Sequence, residues 1–211
     1  MDITQMRTRV RRDLRDEDPA SQRWSDASLD RHIEHALQDL SLAIPLETVA
    51  TLTTPGGSRD LSLASLSDLI SAEAVEYPTG RYPVAYVPFS LWGDTLSLLV
   101  DQAPQAGEEV KIYYGKLHTL DALGSSLPPY LEELVAVGAE GYAALEWATF
   151  ATNRTNVGGP QTWRHYLTWG QERLAQFHKG LARLSRRNTV RVRRLYPPAH
   201  SLPSSTSLGS G

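Results

Sequence analysis

The sequence predicts an α+β fold: a helical bundle of about four helices, an inserted antiparallel β module and an extended C-terminal arm. Three observations predict it. Apolar residues recur at helical spacing towards both ends of the chain, as in Leu29, Ile33, Leu37, Leu40 and Ile44. Between these regions, short runs rich in β-branched residues alternate with Pro- and Gly-containing turns. From Lys179 onward there are seven basic residues and no acid. The expected partition is a helical body of residues 1–46 and 119–187, a β module of residues 47–118, and an extended arm with a disordered tail over 188–211. At 211 residues the chain needs no disulfide or metal to fold, because a chain of this size buries roughly 70% of its unfolded surface.

The first helix is expected over residues 3–14, with Asp2 and Gln5 at capping-box spacing. Asp16-Glu17-Asp18-Pro19 interrupts it. Ser25 is placed to cap a second helix, with Asp26 in its positive first turn. The apolar positions of this helix advance by four, four, three and four residues and so share one face, while Arg31, Glu34, His35 and Gln38 fall on the wet side. Pro45 ends the helix, because proline has no N–H to donate and crowds the preceding turn.

The pattern then changes. Thr48–Thr53, Ile70–Tyr77, Val84–Ser90, Thr95–Val100 and Glu109–Tyr114 read as short strands. Pro55-Gly56-Gly57, Pro78-Thr79-Gly80, Trp92-Gly93-Asp94 and Pro104–Gly107 read as the turns between them, and Leu66–Leu69 as a single helical turn. Helices resume at Pro128-Pro129, with Glu132 and Glu133 beside the N-terminal dipole, and this third helix is expected to reach about Phe150. Its Ala136, Gly138, Ala139, Gly141, Ala143 and Ala144 are small enough to admit a second helix closely. Asn153–Gly159 is a loop. The last helix is expected from Pro160 to about Ser185, with a seam of Trp163, Leu167, Gly170, Leu174, Phe177, Leu181 and Leu184. Steps of four and three alternate along that seam, the spacing of a coiled-coil-like contact. Packing on the preceding helix within the chain is the ordinary reading of such a stripe, and a seam between subunits is the alternative.

Few chemistries fit. The chain has no cysteine, which excludes a disulfide scaffold and a Cys-ligated zinc site. His32 and His35 flank Glu34 but lack the His-Glu-x-x-His pattern, so a solvated helix face is expected there and no metal. Gly56-Gly57 and Gly158-Gly159 lack the Lys-Ser/Thr of a phosphate loop, no Gly-x-Ser-x-Gly elbow is present, and Asp16-Glu17-Asp18 lacks calcium-loop spacing. The expectation is a protein that is not an enzyme and carries no cofactor. Arg164, Arg173 and Lys179 lie near Trp163 and Trp169, a combination that could stack on bases, but Trp163 belongs to the apolar seam. The N-terminal residues Met1–Gln5 carry no apolar signal region and no stretch approaches the length of a membrane span, so the chain is expected to be made and remain soluble in a cytoplasm.

Charge is unevenly spread. The net charge is −3, yet residues 1–178 hold 14 basic and 24 acidic residues, a balance of −10. An acidic body with a basic arm suggests that the arm meets an acidic surface, a neighbouring subunit's body or a nucleic acid. Thr189–Tyr196 has strand composition with interleaved arginines and no local partner, so it is expected to add to another subunit's sheet, the alternative being a frayed arm. The tail His200–Gly211 is expected to be disordered.

The order of these elements carries a resemblance. Val10-Arg11-Arg12-Asp13-Leu14-Arg15-Asp16-Glu17, then Arg23-Trp24-Ser25-Asp26-Ala27-Ser28-Leu29, is similar to the opening of tailed-phage head–tail connector (adaptor) proteins. Thr51-Leu52-Thr53-Thr54-Pro55-Gly56-Gly57, Val75-Glu76-Tyr77-Pro78, Gly93-Asp94-Thr95-Leu96 and Val110–Leu120 resemble the β insertion of one branch of that family. Leu127-Pro128-Pro129-Tyr130-Leu131-Glu132-Glu133-Leu134-Val135 resembles the start of its third helix, and the similarity spans about residues 7–196. The resemblance implies a structural virion protein at the neck: a ring, commonly dodecameric, that docks beneath the portal, joins it to tail or neck proteins and leaves a channel for DNA. It implies no catalysis and no membrane contact, and non-specific contact with passing DNA is compatible with it. The residues expected to bind portal or a neighbouring subunit are Arg183, Arg186, Arg187, Val190, Arg191, Val192, Arg193, Arg194, Leu195 and Tyr196. Another neck component, a stopper or tail terminator, is the alternative, with a nucleic-acid-binding module a more distant one.

Overall fold

The computed structural model describes residues 1–152, 159 and 161–193, the last seven of these as backbone alone. Helix α1 (Ile3–Asp13) starts at a complete capping box: Gln5 N donates to Asp2 Oδ1 at 2.8 Å, and Asp2 N donates to Gln5 Oε1 at 3.0 Å. Helix α2 (Asp26–Ala43) starts at Ser25, whose Oγ accepts from Ser28 N at 3.1 Å. Helix α3 (Pro129–Ala151) and helix α4 (Thr162–Arg193) follow the β region. One apolar cluster joins all four, with Met6, Val10, Leu29, Ile33, Leu40, Leu131, Val135 and Phe177 at its centre.

The β region contains two three-stranded antiparallel sheets. Strands β1 (Leu46–Thr53), β6 (Glu109–Lys116) and β3 (Leu69–Glu76) form one in the order β1-β6-β3. Strands β2 (Asp60–Ser62), β5 (Thr95–Leu98) and β4 (Phe89–Trp92) form the other in the order β2-β5-β4. Leu61, Leu63, Val75, Leu96, Leu98, Val110 and Ile112 make a second apolar cluster, separate from the helical one. Leu46 and Lys116, near the ends of the region, are paired neighbours on β1 and β6, so the chain leaves and re-enters the helical body at nearly one place.

Several elements differ from the sequence expectation. No strand forms over Val84–Pro88, where Tyr86 makes a single bridge to Glu76 and β4 begins only at Phe89. Pro83 and Pro88 bracket that segment and have no N–H for a ladder. Leu66–Leu69 is not a helical turn; Asp68 has a φ of 58°, which a right-handed helix cannot accept. β2 went unpredicted because it has three residues and buries only Leu61. Most consequential is the end of α4. The helix runs to Arg193, past the Ser185 expected from the seam, so residues 188–193 are helical rather than extended. The β preference of Thr189, Val190 and Val192 is realised only against a partner strand, whereas extending an existing helix forms one backbone bond per residue without a new nucleus. Arg194 onward, including the tail expected to be disordered, lies outside the described residues.

The seam of α4 packs on α3 within the chain. A Cβ at Gly138 would lie 3.0 Å from the Phe177 ring, one at Gly141 2.7 Å from Leu174 Cγ, one at Gly170 3.1 Å from Ala144 Cβ, and one at Gly180 2.7 Å from Leu134 Cδ1. These pairs define an antiparallel register in which Pro129, the first residue of α3, lies opposite position 185 or 186 of α4. Residues 187–193 therefore extend beyond the start of α3, by about 10 Å at a rise of about 1.5 Å per residue.

Candidate docking surface at the end of helix α4

Side-chain hydrogen bonds join α1, α2 and α3, the helices that share a core with α4. Arg11, buried, donates to Asp16 Oδ2 at 2.7 Å, Trp24 O at 2.9 Å and Asp26 Oδ1 at 2.7 Å, tying the end of α1 to the start of α2. Trp24 Nε1 donates to Ala143 O at 3.2 Å and reaches α3. His32, expected on a solvated face with His35, is instead buried, with Nε2 2.6 Å from Glu146 Oε2. Glu146 also accepts from Ser28 and Arg31, so one carboxylate of α3 gathers three side chains of α2. Burial pushes the His32 pKa below its ordinary value, against the opposing pull of Glu146. No local pattern marked Arg11 or Glu146; their partners lie on other elements.

At the other end of α2, His118 fastens the exit of the β region. Its Nε2 lies 3.1 Å from Ile44 O and its Nδ1 3.0 Å from Ser126 Oγ, and its backbone N donates to Ser41 Oγ at 3.0 Å. Burial lowers its pKa and favours the neutral ring. Next to it, a groove of about 810 Å³ is lined by Ile44, Pro45, Leu46, Pro128, Tyr130 and Leu184. A second groove of about 310 Å³, between α3 and α4, shares Tyr130 and Leu184 and adds Glu133, Leu134, Gln176 and Arg183. Tyr130 is 70% exposed between them. The point where α4 passes the start of α3 is thus flanked by two partly apolar grooves.

Among the sequence-predicted site residues, Arg183 and Arg186 are exposed on α4, with Lys179 one turn before Arg183. Arg187, Val190, Arg191, Val192 and Arg193 belong to the helical backbone beyond α3. Arg194, Leu195 and Tyr196 lie outside the described residues. The arginines near this end sit at a helix C-terminus, where cations oppose the negative pole of the dipole. Among the described residues no helix is long and apolar enough to cross a membrane. Tyr130 was not singled out from the sequence; only its exposure in the fold marks it.

A family model described as SU10 adaptor protein matches residues 1–200. The chain belongs to the SU10 adaptor protein family. Membership bears out the resemblance to phage head–tail adaptors and gives the chain the structural role of a phage adaptor, a class that is not enzymatic. Among solved structures, the adaptor is similar to a chain described as "Neck of empty GTA particle computed with C6 symmetry", at 14% identity and a TM-score of 0.31, covering 80% of this chain and 88% of that one. No curated protein matches the adaptor.

Proposed function

We propose that this adaptor forms a ring, dodecameric in its complete form, which docks on the portal through the end of α4 and the residues after it. Tail or neck proteins would join its other face, and the ring would leave a channel through which DNA passes with non-specific contact only. On this reading the protein is made in the host cytoplasm and ends at the head–tail interface of the virion. The observation that carries the proposal is the overshoot: residues 187–193 of α4 continue past the start of α3 and include Arg187, Arg191 and Arg193, on a chain whose first 178 residues carry a balance of −10.

The helical end changes how docking would work. Strand addition through Thr189–Arg193 would first require unwinding α4, because the backbone of that segment is helical. A helix already formed loses less conformational freedom on binding than an extended arm, which would lose roughly 1–2 kcal/mol per ordered residue. Arginine supplies forked, charge-assisted bonds to carboxylates. Repetition around a ring converts weak single contacts into firm attachment.

The test is truncation after Ser185. Helical circular dichroism should be largely retained and attachment to purified portal lost. Replacing Arg191, Arg193 and Arg194 by Glu should weaken attachment more than replacing them by Gln, and salt should weaken the native contact. If the truncated chain joins portal with unchanged affinity, docking lies on the helical body or the β region instead.

A further inference from the structure

A groove of about 520 Å³ lies between the end of α1 and α4 and plays no part in the docking reading above. Arg15, Arg23, Arg173 and His165 border it. Asp13 is the one acid on its described lining. Three guanidinium groups thus meet one groove on a chain whose first 178 residues carry a balance of −10. Aromatic rings hold two of them. Arg173 Cζ lies 5.0 Å from the Trp169 ring centroid and Arg23 Cζ 5.9 Å from that of Tyr166, and both rings are half-buried in the same lining. A guanidinium laid over a ring uses its face and leaves its N–H edge for another partner. The Arg173–Trp169 combination noted in the sequence is therefore realised, with the rings orienting arginines rather than lying open to bases.

The donors around this groove are under-used. Among the described residues, no hydrogen bond or ion pair engages the Arg15 side chain. The Arg173 guanidinium forms no hydrogen bond there either; its Nε lies 3.1 Å from Glu140 Oε2 without bonding it. Burial pushes the Glu140 carboxyl up to about 8, so near neutral pH it cancels little of the Arg173 charge. Arg23 Nη1 donates to Arg15 O at 3.4 Å and lies 4.0 Å from Asp16 Oδ1, a carboxylate already bonded to Arg11 at 2.7 Å by its other oxygen. Arg15 also stands where glycine is the ordinary residue. It follows the α1 C-cap Leu14 with a φ of 54°, the left-handed conformation that ends many helices. A Cβ there strains the backbone, and the fold gains no described hydrogen bond or ion pair from the side chain in return.

We propose that this groove binds a phosphate group, held by the guanidinium edges of Arg15, Arg23 and Arg173, with His165 as a further donor. Guanidinium groups offer forked, charge-assisted bonds to oxyanions. A planar carboxylate is satisfied by one such fork. Donors from the end of α1, the chain before α2 and α4 itself suit an anion whose oxygens point in several directions, which a phosphate is. A diester of passing DNA and a free or terminal phosphate share this chemistry, and in either case the contact carries no base sequence. The site uses none of the residues assigned to portal docking, so neither proposal rests on the other.

The experiment uses the full chain. Arginine Nε–H signals are followed by NMR as inorganic phosphate replaces chloride at constant ionic strength, which holds general screening fixed. The expected result is saturable movement of the Arg15, Arg23 and Arg173 signals. Arg15→Gly should weaken phosphate binding by about tenfold or more, the loss of one charge-assisted contact. Its melting midpoint without phosphate should be no lower than that of the wild type, because glycine takes the left-handed conformation freely. Truncation after Ser185 should leave the phosphate response unchanged, so failure here is distinct from failure of portal docking. A short DNA duplex that displaces phosphate supports the proposal with a diester as the source, and a duplex that leaves phosphate in place supports it with a free or terminal phosphate. Wild-type signals that do not respond to phosphate overturn the proposal, as does equal phosphate affinity in Arg15→Gly. So does a glutamate-rich peptide that moves the three signals where phosphate does not.

Discussion

Gly138 is where three helices meet, and its replacement by Ala tests the packing most directly. An added Cβ would lie 2.9 Å from Ala36 Cβ of α2 and 3.0 Å from both Cε2 and Cζ of Phe177 of α4. Neither neighbour yields easily: a Cβ moves only with its backbone, and Phe177 is fully buried. Alanine favours the helix over glycine by about 1 kcal/mol. Overpacking costs about 1–3 kcal/mol, and two rigid neighbours place this site in the upper part of that range. The net expectation is a loss of about 1–2 kcal/mol, or about 2–8 °C in midpoint for a chain of this size. Gly180→Ala is the control. The atoms nearest its Cβ would belong to Leu134, 2.7 Å from Cδ1 and 3.3 Å from Cδ2, the far end of a half-buried side chain that can rotate away. There the helix preference should prevail, with a gain of up to about 1 kcal/mol. Urea unfolding followed by helical circular dichroism measures both, at two protein concentrations. If Gly138→Ala stabilises as much as Gly180→Ala, the three helices do not approach as described. A wild-type midpoint that rises with concentration shows folding coupled to association, and the two variants are then compared at one fixed concentration.

Other expectations follow from the same structure. Arg11→Met should cost about 3–5 kcal/mol in thermal or urea unfolding, because it strands the Asp16 carboxylate, whose side chain is 1% exposed, without its buried partner; a loss below about 1 kcal/mol would show that Asp16 is solvated. His118 is held neutral below its ordinary pKa, so an unfolded chain takes up its proton first as pH falls, and stability is lost below about pH 6.5. Melting curves from pH 7 to 5 should therefore fall more steeply for wild type than for His118→Gln, and parallel curves would count against burial of the ring. We further propose that residues 47–118 form a separable module, since their apolar cluster is distinct and Leu46 pairs with Lys116 at their ends. Replacing them with a short linker should leave helical circular dichroism largely intact, and its complete loss would show one indivisible core.

The sequence alone determined much of this adaptor where the controlling physics is local. Asp2 with Gln5, and Ser25 with Asp26, mark helix starts because a cap uses side chains within three residues of the backbone it satisfies. The Phe177–Leu181–Leu184 seam could be read because 3.5-residue spacing defines a face, and the small residues of α3 show that something packs closely there. The family was legible from the order of elements, though no single residue carries it. Only the tertiary structure decided the rest. It chose the intramolecular partner for the seam, since Gly141 and Leu174 meet across a helix pair that periodicity cannot join. It moved His32 from water to Glu146, a pairing across more than one hundred residues that no local pattern encodes. It also ran α4 through Thr189, Val190 and Val192 to Arg193. Strand propensity describes how a side chain fits beside a partner strand, and where the preceding helix is already formed, extending it needs no partner at all.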